Sequence, residues 1–186
     1  MKETPILKTP RLLLRPFEKK DLFDVYEWTS SWEVTRYLWW YPNRDIHVTE
    51  KLLGNWIRKQ RNYSWAVEKE GEVLGEVQII KDLPGNGFEF GMISKQKSWG
   101  HGYMKEAILH ALDFCFTQAG YRFGYAESDE RNVRSHALLE KLGFKKAGRK
   151  ENVPIEKKGE SINVLCFELS EEDFRKAYAL YKLHFR

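Results

Sequence analysis

The sequence predicts an α+β fold, a mixed and mostly antiparallel sheet flanked by helices, and three observations carry that expectation. From Tyr63 to Ser94 the apolar residues recur with period two in three runs, Ser64 to Val67, Val73 to Ile80 and Phe88 to Ser94. Turn signals at Glu70-Gly71 and Pro84-Gly85-Asn86-Gly87 separate them, which is the pattern of an antiparallel meander. From Tyr103 the period changes to that of a helix, with Met104, Ile108, Ala111, Leu112, Cys115 and Ala119 on one stripe and Gly120 as the stop. After it come a strand, a helix and two more strands, with no internal repeat and no low-complexity linker.

The remaining elements follow in order. Leu12-Leu13-Leu14 predicts a first strand over 11–16, ended by Pro16. Leu22, Val25 and Tyr26 have helical spacing over 21–28, and a second helical segment spans 31–37 before the aromatic cluster Trp39-Trp40-Tyr41. Thr49 suits the cap of a helix carrying Leu52, Leu53, Trp56 and Ile57. Beyond the long helix, 122–127 is a strand, and Asn132 caps a helix whose apolar face is Leu138, Leu139 and Leu142, with Gly143 at its end and Phe144 docked behind it. A strand over 145–150, a polar loop rich in Lys and Glu, a strand over 161–169 and a helix from Ser170 complete the order. One domain spanning 1–186 is the expected organisation, since 186 residues suit one full core better than two.

Composition narrows the function classes. The 31 basic and 27 acidic residues leave a net charge of only +4, too balanced for a nucleic-acid footprint. Charges interrupt every apolar run well short of a membrane span, and the first ten residues hold no signal-like run, so a cytoplasmic protein is expected. Cys115 and Cys166 have no short spacing, and no pair of histidines has metal-ligand spacing, so no metal is expected. Seven Trp suggest a large core or cleft.

The most informative segment is Trp99-Gly100-His101-Gly102-Tyr103-Met104, where two glycines join a strand to the long helix. Without Cβ atoms the main chain can approach a ligand closely, and the first helical N–H groups lack internal partners, so a pyrophosphate fits there. A dinucleotide fold would need a third glycine where Tyr103-Met104-Lys105 stand, and no Gly-x-x-x-x-Gly-Lys-Ser/Thr run is present.

Together with Glu89-Phe90-Gly91-Met92-Ile93-Ser94, Asn132-Val133-Arg134-Ser135 and Leu142-Gly143-Phe144, this loop resembles the GNAT acyl-CoA N-acyltransferases across nearly the whole chain. Thr9-Pro10-Arg11-Leu12 and the Trp-Gly-x-Gly-Tyr loop are similar to the RimJ/RimL branch, which acetylates ribosomal-protein amino termini. The resemblance implies acetyl-CoA as co-substrate. It assigns Trp99, Gly100, His101, Gly102, Tyr103 and Met104 to the pyrophosphate loop, Met92, Ile93 and Ser94 to the pantetheine strand, and Asn132 and Ser135 to the pantetheine arm and sulfur end. Two departures are visible: Trp99 stands first in the loop, and Met104 occupies a position usually held by a small residue. The Met104 side chain can be accommodated by pointing into the core.

Aminolysis of a thioester needs a neutral amine and a proton for the leaving thiolate. Glu89 is the candidate base, on the strand face it shares with Gly91 and Ile93, although a cross-strand cation or solvent would account for it equally well. Ser135 is the candidate proton donor, with a local backbone bond as the alternative. Arg134 and Lys141, with Arg131 nearby, suit the ribose phosphate of CoA or a solvated helix face. Trp39, Trp40 and Tyr41 suit an acceptor wall or the core.

The expected activity is direct acetyl transfer to a primary amine, foremost a protein N-terminus, in a ternary complex. A polyamine or aminoglycoside acceptor, and a non-catalytic CoA sensor, remain alternatives. Monomer and homodimer are both compatible with exposed sheet edges.

Overall fold

The computed structural model describes residues 3–58 and 63–183, and the outer ends of the expected 1–186 domain lie outside them. One eight-stranded sheet runs through it: β1 Leu7–Lys8, β2 Leu13–Arg15, β3 Ser64–Lys69, β4 Glu72–Leu83, β5 Gly87–Ser94, β6 Phe123–Asp129, β7 Lys145–Ile155 and β8 Glu160–Ser170, in spatial order β1-β2-β3-β4-β5-β6-β8-β7. The β5–β6 pair is parallel and every other pair is antiparallel. The helices are α1 Leu22–Thr29, α2 Trp32–Thr35, α3 Ile46–Arg58, α4 Tyr103–Thr117, α5 Val133–Lys141 and α6 Glu171–Leu183.

Alternation along β5 divides the core. Phe88 and Phe90 point to one face and pack with the α4 stripe of Met104, Ile108, Ala111, Leu112 and Cys115, with Leu139 and Leu142 of α5, and with Phe174 of α6. Ile93 points to the other face, where Ala66, Val73, Val25, Trp28 and Leu53 form a second cluster beneath α1 and α3. The Met104 side chain lies in the first cluster, 8% exposed, so its bulk is taken up by the core.

Two expectations change. Thr49 is no cap: α3 begins three residues earlier, after Asp45 accepts a bond from the His47 amide, and the buried Thr49 hydroxyl lies 2.9 Å from both Thr29 Oγ1 and Asn43 Nδ2. A threonine inside a helix can serve its neighbours because its hydroxyl is not needed by the helix terminus. The polar stretch after Lys150 is also strand rather than loop, since β7 reaches Ile155 and only 156–159 turn. Val153 and Ile155 pack against Ile162 and Val164, and that apolar strip outweighs the surrounding charges.

The short entry strands are fastened by buried polar groups. Arg15 makes a bidentate pair with Asp21 at 2.8 and 2.9 Å and reaches Glu68 at 2.6 Å, and these carboxylates hold its guanidinium charge more firmly than usual.

Candidate functional site

The site originates in the divergence of β5 from β6. Their pairing runs from Gly87↔Phe123 to Glu89↔Tyr125 and ends there. Beyond it β5 stays with β4 as far as Gly75↔Ser94, whereas β6 follows β8 as far as Asp129↔Val164. Each strand is held by its other neighbour, so the edge of β5 from Phe90 to Ser94 faces an opening in the sheet.

On one side of that opening lies a groove of about 830 Å³, lined by Met92, Ile93, Ser94, Trp99, Gly100, Gly102, Tyr103, Met104, Asn132, Arg134, Ser135 and Lys141. These twelve are among the residues that the sequence suggests for the cofactor; Val34, Arg36, Gln96 and Leu138, which it does not suggest, line the groove as well. Gly100 and Gly102 have φ of +82° and +76°, a region that L side chains rarely adopt, and Gly102 is the N-cap of α4. The first N–H groups of α4 therefore open into a groove that also carries Lys105, Arg134 and Lys141. Trp99 ties its walls together: the indole Nε1 donates to Ser94 Oγ at 3.0 Å, and the Arg134 guanidinium lies over the ring at 4.8 Å.

The side chains of His101 and Arg131 are engaged within the protein, while the His101 main chain stays in the loop between Gly100 and Gly102. The His101 ring stacks on Tyr103 at 5.5 Å, and its residue is outside the groove lining. Arg131 is engaged by Asp129, at 2.6 Å from Nη2, and its guanidinium faces the Tyr37 ring.

Behind the loop stands a contact set that the sequence did not disclose. Glu106 is fully buried, and it accepts from Thr9 Oγ1, the Arg11 amide at 2.8 Å and Arg11 Nε at 2.6 Å. The same guanidinium donates to the His101 carbonyl at 3.1 Å and lies 4.8 Å from the Tyr103 ring centre. The chain before β2 thus braces the glycine loop.

On the other side of the opening is a cavity of about 740 Å³. Tyr37, Leu38, Met92, Ile93, Asn132 and Ser135 line both spaces, so the two meet at the diverging strands. Asn132 caps α5 by accepting from the Ser135 amide at 3.3 Å, which sets the Ser135 hydroxyl at this junction.

The cavity contains four carboxyl groups: Glu76, Glu89, Glu127 and Asp129. Three have a cation. Glu89 pairs with Lys81 at 2.8 Å, Glu127 with Lys150, and Asp129 with Arg131. The Lys81 partnership depends on a bulge at Ile80, which brings Lys81 rather than Ile80 opposite Glu89.

Glu76 has no ion pair among the described residues. It sits on β4 opposite Ile93, is 2% exposed, and accepts from Ser64 Oγ at 2.9 Å. Burial pushes its carboxyl from an ordinary 4.5 up to about 7. The sequence shows Glu76 only as one residue of a strand; its burial comes from α1 and α3 docking on that face.

A second acidic group, Asp24, Glu27 and Glu72, is close enough to share a cation, and the Lys95 ammonium fills it at 2.7, 2.8 and 2.7 Å. Burial pulls Lys95 down, but the three carboxylates outweigh it and raise its pKa. No helix among the described residues is long and apolar enough to cross a membrane.

With this geometry in place, comparison with known proteins gives three consistent findings. Residues 11–145 match the acetyltransferase (GNAT) domain. The chain is similar to the uncharacterized N-acetyltransferase p20 of Bacillus licheniformis, 28% identical over 174 residues, covering 90% of this chain and 97% of the relative. It is also similar to spermidine N(1)-acetyltransferase of Escherichia coli, 28% identical over 136 residues and 73% of each chain. In fold it is similar to spermidine N-acetyltransferase from Vibrio cholerae in complex with CoA and spermine, with a TM-score of 0.76 at 22% identity over 89% of this chain and 98% of that one.

Proposed function

From the premise that the chain belongs to the GNAT acetyltransferase family and is an acetyl-CoA-dependent N-acetyltransferase, we propose that its acceptor is one α-amino group at a protein terminus, acetylated directly in a ternary complex. The observation that carries this reading is the charge state of the cavity. A polyamine is held by several carboxylates spaced along its length, whereas here three of four already have a cation and Lys157 lines the wall as well. One uncompensated carboxyl suits one ammonium.

Acetyl-CoA supplies the activated acyl thioester. Its diphosphate suits the Gly100-to-Met104 main chain with Lys105, Arg134 and Lys141 nearby, and its amide-bearing arm suits the open edge of β5 at Met92, Ile93 and Ser94. Glu76 takes the proton from the incoming ammonium. A carboxyl poised near 7 is half ionised at neutral pH and is therefore a competent base there. The free amine then attacks the thioester carbon, the carbon–sulfur bond breaks, and the second proton shed by the nitrogen as it becomes an amide passes to the departing thiolate through Ser135, which lines both groove and cavity and regains its own proton in the relay. Glu89, neutralised by Lys81, contributes to the cavity wall and to orientation.

The test is thiol release from acetyl-CoA with peptides, spermidine and an aminoglycoside, with thermal stabilisation by CoA measured in parallel. Peptides should react fastest, and Glu76→Gln should lower kcat at least about a hundredfold while Glu89→Gln lowers it severalfold. Faster turnover of spermidine than of any peptide overturns the acceptor; equal losses in the two variants overturn the assignment of the base. Stabilisation by CoA without thiol release on any amine favours a CoA sensor.

A further inference from the structure

The mouth of the acceptor cavity is built to hold something apolar. Among the described residues ten large hydrophobic side chains are exposed, and four of them line this one cavity: Trp39 at 41%, Tyr41 at 53%, Val48 at 51% and Ile80 at 45%. Exposed apolar groups gathered on one concave surface mark a contact with an apolar partner. Deeper in, the wall continues with Trp40 and Trp56.

Ile80 shows that the patch is constructed. It is the extra residue of the β4 bulge, between Ile79↔Phe90 and Lys81↔Glu89, and a bulge re-aims the side chain it carries. Gly91 makes room for it, since a Cβ at Gly91 would meet Ile80 Cδ1 at 2.9 Å. The isoleucine thus lies across β5 at the cavity. Trp39 and Tyr41 arrive from the segment after α2, which is fixed from both ends: the Asn43 amide donates to Thr29 O at 2.8 Å, and Lys158 Nζ donates to Thr35 O and Arg36 O at 3.0 and 2.9 Å.

We infer that the acceptor is a polypeptide whose first residue is large and hydrophobic, its α-amino group directed to Glu76 and its first side chain seated among Trp39, Tyr41, Val48 and Ile80. This rests on the reading of the site as acetylating one α-amino group. Charge complementarity supports the same occupant: one uncompensated carboxyl lies at the floor, ion-paired carboxylates line the sides, and the rim is apolar and open to solvent, as a chain leaving the site requires. A polycation finds few free charges here, and a small first residue leaves the rim in water.

The experiment measures binding of X-Ala-Ala-Ala peptides by calorimetry in the presence of CoA, with X as Phe, Leu, Ser or Gly and 2-phenylethylamine as a further arm; thiol release is followed separately with acetyl-CoA. Phe- and Leu-first peptides should bind at least about tenfold more tightly than Ser- or Gly-first ones, the gain expected for burying most of an apolar side chain. Ile80→Ser and Trp39→Ala should narrow that ratio, with CoA affinity reporting that each variant is folded. Equal or tighter binding of the Ser- or Gly-first peptides overturns the inference, as does a ratio unchanged in both variants. Tighter binding of 2-phenylethylamine than of the Phe-first peptide overturns the polypeptide as occupant. The expected binding order without thiol release upholds the inference and removes acetyl transfer instead.

Discussion

Glu76→Gln tests the site through stability as well as through turnover. Burial raises the Glu76 carboxyl from 4.5 to about 7 in the folded protein, against the weaker opposite pull of the Ser64 hydroxyl. Between those two values the native state retains a proton that the unfolded chain has released. Stability contributed by this group is therefore fully present below about pH 4.5 and falls as pH rises through 7. Each pH unit in that window is worth roughly 1.4 kcal/mol, which makes the whole loss about 3 kcal/mol. Glutamine has nearly the same volume, can still accept from Ser64, and does not ionise. The stability of the wild type relative to Glu76→Gln should thus fall by about 3 kcal/mol between about pH 4.5 and 8, or roughly 6–12 °C in Tm for a chain of this size. Urea titrations followed by tryptophan fluorescence, without CoA, measure it directly. Two stability profiles that run parallel across the window would refute both the burial argument and the assignment of a base poised near neutrality.

Three further outcomes follow from other contacts. Glu106→Gln, which removes the charge bracing Arg11 and the glycine loop, should cost about 2 kcal/mol of stability and raise the CoA Kd roughly tenfold; denaturation together with calorimetry checks it, and an unchanged CoA Kd removes the bracing role. Lys141→Ala should weaken CoA binding about fivefold and dephospho-CoA binding much less, with a shallower salt dependence, if this cation meets the ribose phosphate. Lys158→Met removes the two bonds to Thr35 O and Arg36 O that steady the aromatic segment, so the acceptor KM should rise severalfold while CoA affinity stays the same.

Local signals made much of the groove proposed for CoA readable in the sequence. Two glycines before an amphipathic stripe, and an asparagine capping the next helix, each specify their own backbone, and Gly100, Gly102, Tyr103, Asn132 and Ser135 of the groove lining lie on those two segments. The acceptor side depends on contacts between distant segments. Glu76 is one acidic residue within a strand until α1 and α3 cover its face, and only then does its carboxyl become a buried, isolated group. The partner of Glu89 depends on a one-residue bulge, which period-two counting across a hairpin does not register. Likewise Met104 looks out of place in the loop by residue type, yet it belongs to the core cluster as well as to the groove lining.

The same topology explains why groove and cavity adjoin. β5 is committed to β4 along its whole length and β6 is committed to β8, so their shared parallel pairing stops after Glu89↔Tyr125. The opening is therefore a property of the sheet pairing. Every group proposed for the reaction lines the groove or the cavity that meet at that opening: Glu76 from β4, the amide edge of β5, and Ser135 from the start of α5. The residues proposed for specificity lie one layer further out, on the bulged Ile80 and the segment after α2, where side chains can change without disturbing the strand pairings around the opening. A fold arranged in this way can keep its groove constant while the cavity lining varies, so that a spermidine acetyltransferase can stand among the relatives of a chain for which we propose a single α-amine acceptor.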